Sequence, residues 1–311
     1  MKTKANNKKS DIETLMQGQG STGARHMGDV VWLSMSGVEA KRADIRAAFA
    51  QHGLPEALAP SDPSAEAAFG MAVGAYGSGV EHGIFLRCVD TKTKGSDVLL
   101  LHTQKGVGTL DEVQTVGRVG VTMAGKIAVT KNPALWDFKA DQVVNDLTST
   151  FDNRLERATS SELGGAVVAA VLGWCGGIRL RDRGNVYWAH SAGAQEVRSL
   201  ARVLEQFGTS YLAVLPVHDN AEARGAVQRA AAESFACELR DISDELAKFS
   251  KSSTLRTSTL ERRLEEYEDL AQRVDLYSDI LSGKRADILA GLEAAKVAVR
   301  KMLAESDSEA E

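Results

Sequence analysis

The most specific chemistry in this chain is carried by four side chains between residues 179 and 188. Arg179, Arg181 and Arg183 alternate along residues 178–183, and Trp188 follows on the next extended run, residues 185–189. A two-residue turn at Arg183-Gly184 would join the two runs as a hairpin. That register puts Arg179, Arg181 and Trp188 on one face, with Arg183 at the tip. Guanidinium groups beside an indole can hold phosphate and stack a base, which points to nucleic acid. The bland alternative is a solvated face on which arginine stems cover the tryptophan.

The other reactive residue types lack a productive spacing. The six histidines form no HxH or HExxH pair, so no metal ligands are assigned. His102 sits in a run, residues 98–103, that is apolar on both faces, and reads as a core histidine rather than a general base. Cys88, Cys175 and Cys237 are odd in number and far apart, which excludes a disulfide framework or CxxC pair and fits a reducing compartment. Trp174-Cys175-Gly176-Gly177 has no nucleophile-elbow context and no assignable histidine or aspartate, so no catalytic residue is assigned. The glycine-rich stretches 18–23, 74–79 and 106–108 lack the GK[ST] ending of a phosphate loop. No cofactor is expected.

The elements that must position these residues read as α+β, with small mixed domains and mainly antiparallel sheet. Residues 1–28 carry Lys2, Lys4, Lys8 and Lys9 among polar residues and read as a disordered basic arm. An α+β domain is expected over 29–136: a strand at 30–35, helices at 38–51 and 68–76, and two hairpins from strands at 83–90, 97–104, 112–121 and 126–130. An α/β domain with the arginine hairpin follows over 137–218, with helices at 137–158, 161–174 and 194–207 and a last strand at 211–217. Helix 161–174 is apolar on nearly every side and lacks Lys or Arg, so it suits a core rather than a DNA groove.

Residues 219–304 have the strongest periodicity. Phe235, Leu239, Ile242, Leu246 and Phe249 follow alternating steps of four and three. After a Ser/Thr-rich break at 250–259 the seam resumes through Leu260, Tyr267, Leu270, Val274, Tyr277, Leu281, Ile288, Leu292, Ala295, Val299 and Met302, with Arg263 and a slot near Arg285 polar. This predicts a long antiparallel coiled-coil hairpin, closed by an acidic tail at 305–311. At 1.5 Å per residue its second helix would reach roughly 65 Å and its first about 48 Å, so some seam would need another partner. Gly283 and Gly291 each cost about 1 kcal/mol against alanine and permit a bend.

Composition sets the outer limits. A chain of 311 residues that is 43% apolar and 25% charged is in the ordinary globular range. Its net charge of −5 excludes a surface basic as a whole. The longest apolar run, 163–175, falls short of the roughly 20 residues that cross a bilayer, so a cytoplasmic protein without membrane contact is expected. The segment 177–219, with Ile178-Arg179-Leu180-Arg181, the turn, Val186-Tyr187-Trp188 and an amphipathic helix, resembles uncharacterised proteins encoded by bacterial phages and plasmids. The resemblance implies a mobile-element setting and no activity. The expected function is non-enzymatic assembly, as a homo-oligomer or with another protein, through the coiled coil. The alternative is nucleic-acid binding by the hairpin arginines aided by the basic arm, and an enzyme finds no residue to support it.

Overall fold

The computed structural model describes residues 25–76, 84–88, 97–104, 112–180, 184–249 and 257–308. Helix and strand are mixed, and every strand pair is antiparallel. The chain divides into two compact units that are not the sequential domains expected. One takes in the chain up to Gly37, Ala48–Leu58 and everything from Gly164; the other is Val38–Ala47 and Ala59–Leu163. The cause is a long-range pairing. Strand β1 (His26–Ser34) lies between β9 (Val186–His190) and β10 (Tyr211–His218), which come more than 150 residues later.

The second unit holds a four-stranded meander, β3 (Ile84–Cys88), β4 (Asp97–Gln104), β5 (Glu112–Val121) and β6 (Ile127–Lys131). The two expected hairpins are therefore present. His102 falls in β4 as expected, but its side chain lies outside the described residues, as do the glycine stretches at 18–23 and 106–108. Helices α2 (Ala65–Tyr76) and α3 (Phe138–Glu156) share a core with this sheet, where Phe69 meets Phe151 edge-on at 6.4 Å. Asp137 caps α3 by accepting the Ala140 N–H at 3.0 Å.

The helix expected at 38–51 begins later. Strand β2 (Glu39–Lys41) pairs with β7 (Arg157–Thr159), and α1 (Arg42–Gln51) follows. The Val38 N–H is taken by Ser160 Oγ at 2.8 Å. A capping box forms at Thr159 and Glu162, where Glu162 Oε2 accepts the Thr159 N–H at 2.9 Å and Thr159 Oγ1 the Glu162 N–H at 3.4 Å. It starts α4 (Ser160–Ala169), which runs on as a wider π turn to Trp174. Trp174 is exposed at that end, against the expectation of a helix buried throughout.

The first unit is built on the sheet β10-β1-β9-β8, with β8 (Ile178–Arg179) at one edge. Strand β1 starts two residues before the expected limit of the basic arm, whose residues 1–24 lie outside the described residues. One face of the sheet carries Val31, Leu33, Tyr187 and Leu212, against which α5 (Ala194–Leu204) packs its Val197, Leu200 and Val203. The other face carries Val30, Trp188 and Val217, which join Ile178 and the C-terminal helices in one apolar cluster.

Those helices are α6 (Ala221–Phe249), α7 (Thr257–Leu276), the single turn α8 (Ser278–Leu281) and α9 (Lys284–Ser308). The expected second helix is thus two helices. Tyr277 and Ser282 interrupt it, Ser282 in the left-handed region at φ 51°, with Gly283 next. Helix α9 turns back and packs against both α7 and α6, with Gly291 facing Leu239. The seam expected to need another partner is therefore covered within the chain. Helix α6 starts on Asn220, whose Oδ1 accepts the Ala223 N–H at 2.8 Å. Helix α9 also continues to Ser308, into what read as an acidic tail.

Candidate functional site

Every residue of the expected seam enters the cluster. Phe235, Leu260, Tyr267, Leu270, Val274, Tyr277, Leu281, Ile288, Leu292 and Val299 are buried there, and Leu239, Ile242 and Leu246 pack against them half-buried. Two ion pairs fix α6 and α7 antiparallel: Arg273 grips both oxygens of Glu238 at 3.0 and 3.1 Å, and Arg263 bridges Glu245 and Glu266. The polar break in the seam at Arg263 is thereby accounted for. The one near Arg285 is also satisfied, by Asp275 at 2.6 Å.

The hairpin differs from its expected register by one residue. Ile178 faces Trp188 and Arg179 faces Tyr187, with Leu180 N–H donating to Val186 O at 3.2 Å. A slip of one residue moves a side chain to the opposite face. Trp188 consequently shares a face with Ile178, is 0% exposed, and its Nε1 is buried without a partner. It cannot stack on a base. Arg179 remains exposed, while Arg181 and Arg183 lie outside the described residues.

Arg179 opens onto a cleft of about 720 Å³ between β8, α6 and α7, lined also by Glu233, Ser234, Cys237, Glu238, Asp241 and Arg273. Its charges largely balance, with three carboxylates against two guanidinium groups. Glu238 is held by Arg273, which also donates to Gly177 O at 3.3 Å, and Ser234 Oγ approaches the same carboxylate at 3.5 Å. No described residue forms an ion pair with Arg179. The cleft is therefore lined by both signs of charge. The carboxylate that Ser234 approaches, Glu238, is already committed to Arg273.

A polar cluster that no local pattern signals closes the other end of the sheet. His26, His190 and His218 stand at the ends of three neighbouring strands, with His26 and His218 rings 6.4 Å apart. His26 Nε2 donates to Asp29 Oδ1 at 3.0 Å, and Arg198 reaches the same oxygen at 3.4 Å. Asp29 is fully buried and its Oδ2 has no partner. One signal was available in the sequence, a lone carboxylate inside the apolar run of β1. Among the described residues no group of three His, Cys, Asp or Glu side chains could hold a metal ion. Cys175 is buried; burial and the Glu196 carboxylate push its thiol up to about 12, which leaves it unreactive.

A protein-family model described as a family of unknown function, DUF6744, matches residues 26–308. The chain belongs to that family. The match opens at the first residue of β1 and closes at the last residue of α9, so the DUF6744 fold includes both units and all the C-terminal helices. No curated protein and no solved structure matches the chain. Among the described residues no helix is long and apolar enough to cross a membrane.

Proposed function

We propose that this DUF6744 protein is a non-enzymatic assembly protein that docks to itself or to another protein through its C-terminal helices, packed in coiled-coil fashion. The observation that supports this is the outward face of α9. Opposite the buried Ile288, Leu292 and Val299 run Ala286, Ala290, Ala294, Val297 and Ala304, all exposed, with Lys301 as the charge in the stripe. A solvent-facing helix stripe is ordinarily charged or polar. Here Val297 is 57% exposed, and the alanines let a second helix approach closely.

The size of the stripe bounds the interaction. At roughly 27 Å by about 10 Å it offers on the order of 270 Å², below the ~800 Å² per partner of a stable interface. Contact through α9 alone is therefore weak, and a lasting complex needs the partner to reach neighbouring surface as well. A mobile-genetic-element setting, implied by the resemblance of residues 177–219, belongs to the same proposal. The test is a photo-crosslinker at Ala294 in cells that make the protein. A discrete adduct, lost when Ala290→Glu and Val297→Glu are added, is the expected result. An adduct pattern no different from that of a crosslinker at the exposed Glu268 refutes it.

Nucleic-acid binding stays the second reading, because the Arg179 guanidinium is exposed without an ion-pair partner among the described residues. It predicts a steep salt dependence of binding that Arg179→Glu with Arg181→Glu removes. Binding unchanged by that double charge reversal refutes it.

A further inference from the structure

We propose that His190 is a pH-sensitive latch: its neutral ring holds the turn that carries Tyr277 to the sheet, and a proton on that ring loosens it. His190 ends β9, and its Nδ1 accepts the Ala192 N–H at 3.2 Å, capping the short turn that leads into α5. A protonated imidazole carries hydrogen on both nitrogens and accepts nothing. Protonation therefore removes the cap and leaves two donors facing each other.

The same ring packs edge-on against Tyr277, centroids 5.7 Å apart. Tyr277 is fully buried, donates from Oη to Gly176 O at 3.0 Å and meets Phe235 edge-on at 5.7 Å. It also stands at the break between α7 and α8. A charge on His190 would thus be set against the residue that joins that turn to the sheet.

The charged groups facing His190 do not cancel this. Asp279, from α8, favours a proton on the ring, whereas Arg25 and His26, at the start of β1, oppose it. Asp279 sits in a segment whose backbone carbonyl accepts from Arg224 at 3.4 Å, and Arg224 is itself paired with Asp219 at the end of β10. His26 is bonded to Asp29 and lies beside His218. Burial outweighs Asp279 and holds the His190 imidazole below the ordinary histidine value. A proton accordingly binds the released arrangement better than the latched one, and acid shifts the population towards release. The latch stands whether or not α9 docks a partner.

Hydrogen–deuterium exchange on the full chain tests it, comparing about pH 7 with about pH 5.5, after correction for intrinsic exchange. Residues 276–284 of the wild type should exchange more readily at the lower pH, by up to about tenfold, the limit set at about pH 5.5 by an ordinary histidine value near 6.5 in the released arrangement. His190→Asn should show no such rise, since an asparagine Oδ1 can accept the Ala192 N–H but does not titrate. An equal rise in both proteins, or none in the wild type, overturns the proposal. Should His190→Asn fail to fold, imidazole NMR of the wild type decides. His190 must titrate below the ordinary histidine value with the exchange rise following it, and a His190 that titrates at or above that value overturns the latch.

Discussion

Replacing Arg42 by methionine should cost the protein about 3 kcal/mol. The side chain is a cation only 2% exposed. It donates to Ser61 O at 2.8 Å, to Arg154 O at 3.3 Å and to Glu162 Oε1 at 2.5 Å. Removing one partner of a fully buried ion pair costs ~3–5 kcal/mol, because the other charge is left uncompensated. Glu162 is 22% exposed and keeps its two hydrogen bonds from Thr159, which places the loss at the lower end. For a chain of 311 residues that loss corresponds to a fall in Tm of roughly 5 °C. Urea unfolding followed by circular dichroism gives the magnitude, and a double-mutant cycle with Glu162→Gln isolates the pair. The sign with pH is fixed as well. Burial raises the Glu162 carboxyl, but Arg42 and the Thr159 hydrogen bonds outweigh it, so the net shift is downward. Stability from this group is complete above the unfolded value, about 4.3. It is lost as pH falls through the folded value, so the gap between wild type and variant narrows in acid. A cost under about 1 kcal/mol, or a gap that widens in acid, would show that the pair is not the strut its burial implies.

Two further outcomes are expected. Iodoacetamide near pH 8 should label Cys237, half-exposed in the cleft, and leave Cys175 unmodified in the folded chain; peptide mapping that finds both labelled at similar rates contradicts the burial of Cys175. Gly28→Ala should destabilise the sheet by several kcal/mol, on the order of a severe core substitution. A Cβ there would lie 2.4 Å from both the Ala189 carbonyl oxygen and the Trp188 ring. A urea midpoint within error of wild type would mean that β1 and β9 can separate more easily than their packing suggests.

Periodicity identified which residues of the C-terminal helices are buried, and it did so because burial alone sets that pattern. It could not show where the chain reverses. Tyr277, Ile280 and Leu281 are buried inside the turn itself, so the apolar rhythm passes through it unbroken. The local signal was Ser282-Gly283, a turn-forming dipeptide that reads in a long helical run as no more than a weak point. Two helices of unequal length left seam uncovered in that reading. Three helices cover it, and the reason to expect a partner moves from the seam to the opposite face of α9.

The hairpin failed for a different reason. Arginine, arginine and tryptophan fall on one face only if the turn contains two residues, and lengthening that loop by one transfers Trp188 to the core. The apolar content of residues 185–189 is the same in either register, so only the requirement of the cluster around Ile178 and Phe235 for a large side chain decides between them. The strand-end histidines could not have been assembled from spacing at all. His26 meets His218 because β1 enters the sheet between strands formed more than 150 residues later, which is a property of topology. Asp29 was nevertheless visible as a carboxylate in an apolar strand, and a buried carboxylate requires partners. Its partners, His26 and Arg198, lie at the same end of the sheet as His190, where β9 meets the turn that carries Tyr277. The turn that carries Tyr277 is therefore seated beside His190, and acid should act there before it acts on the helices themselves.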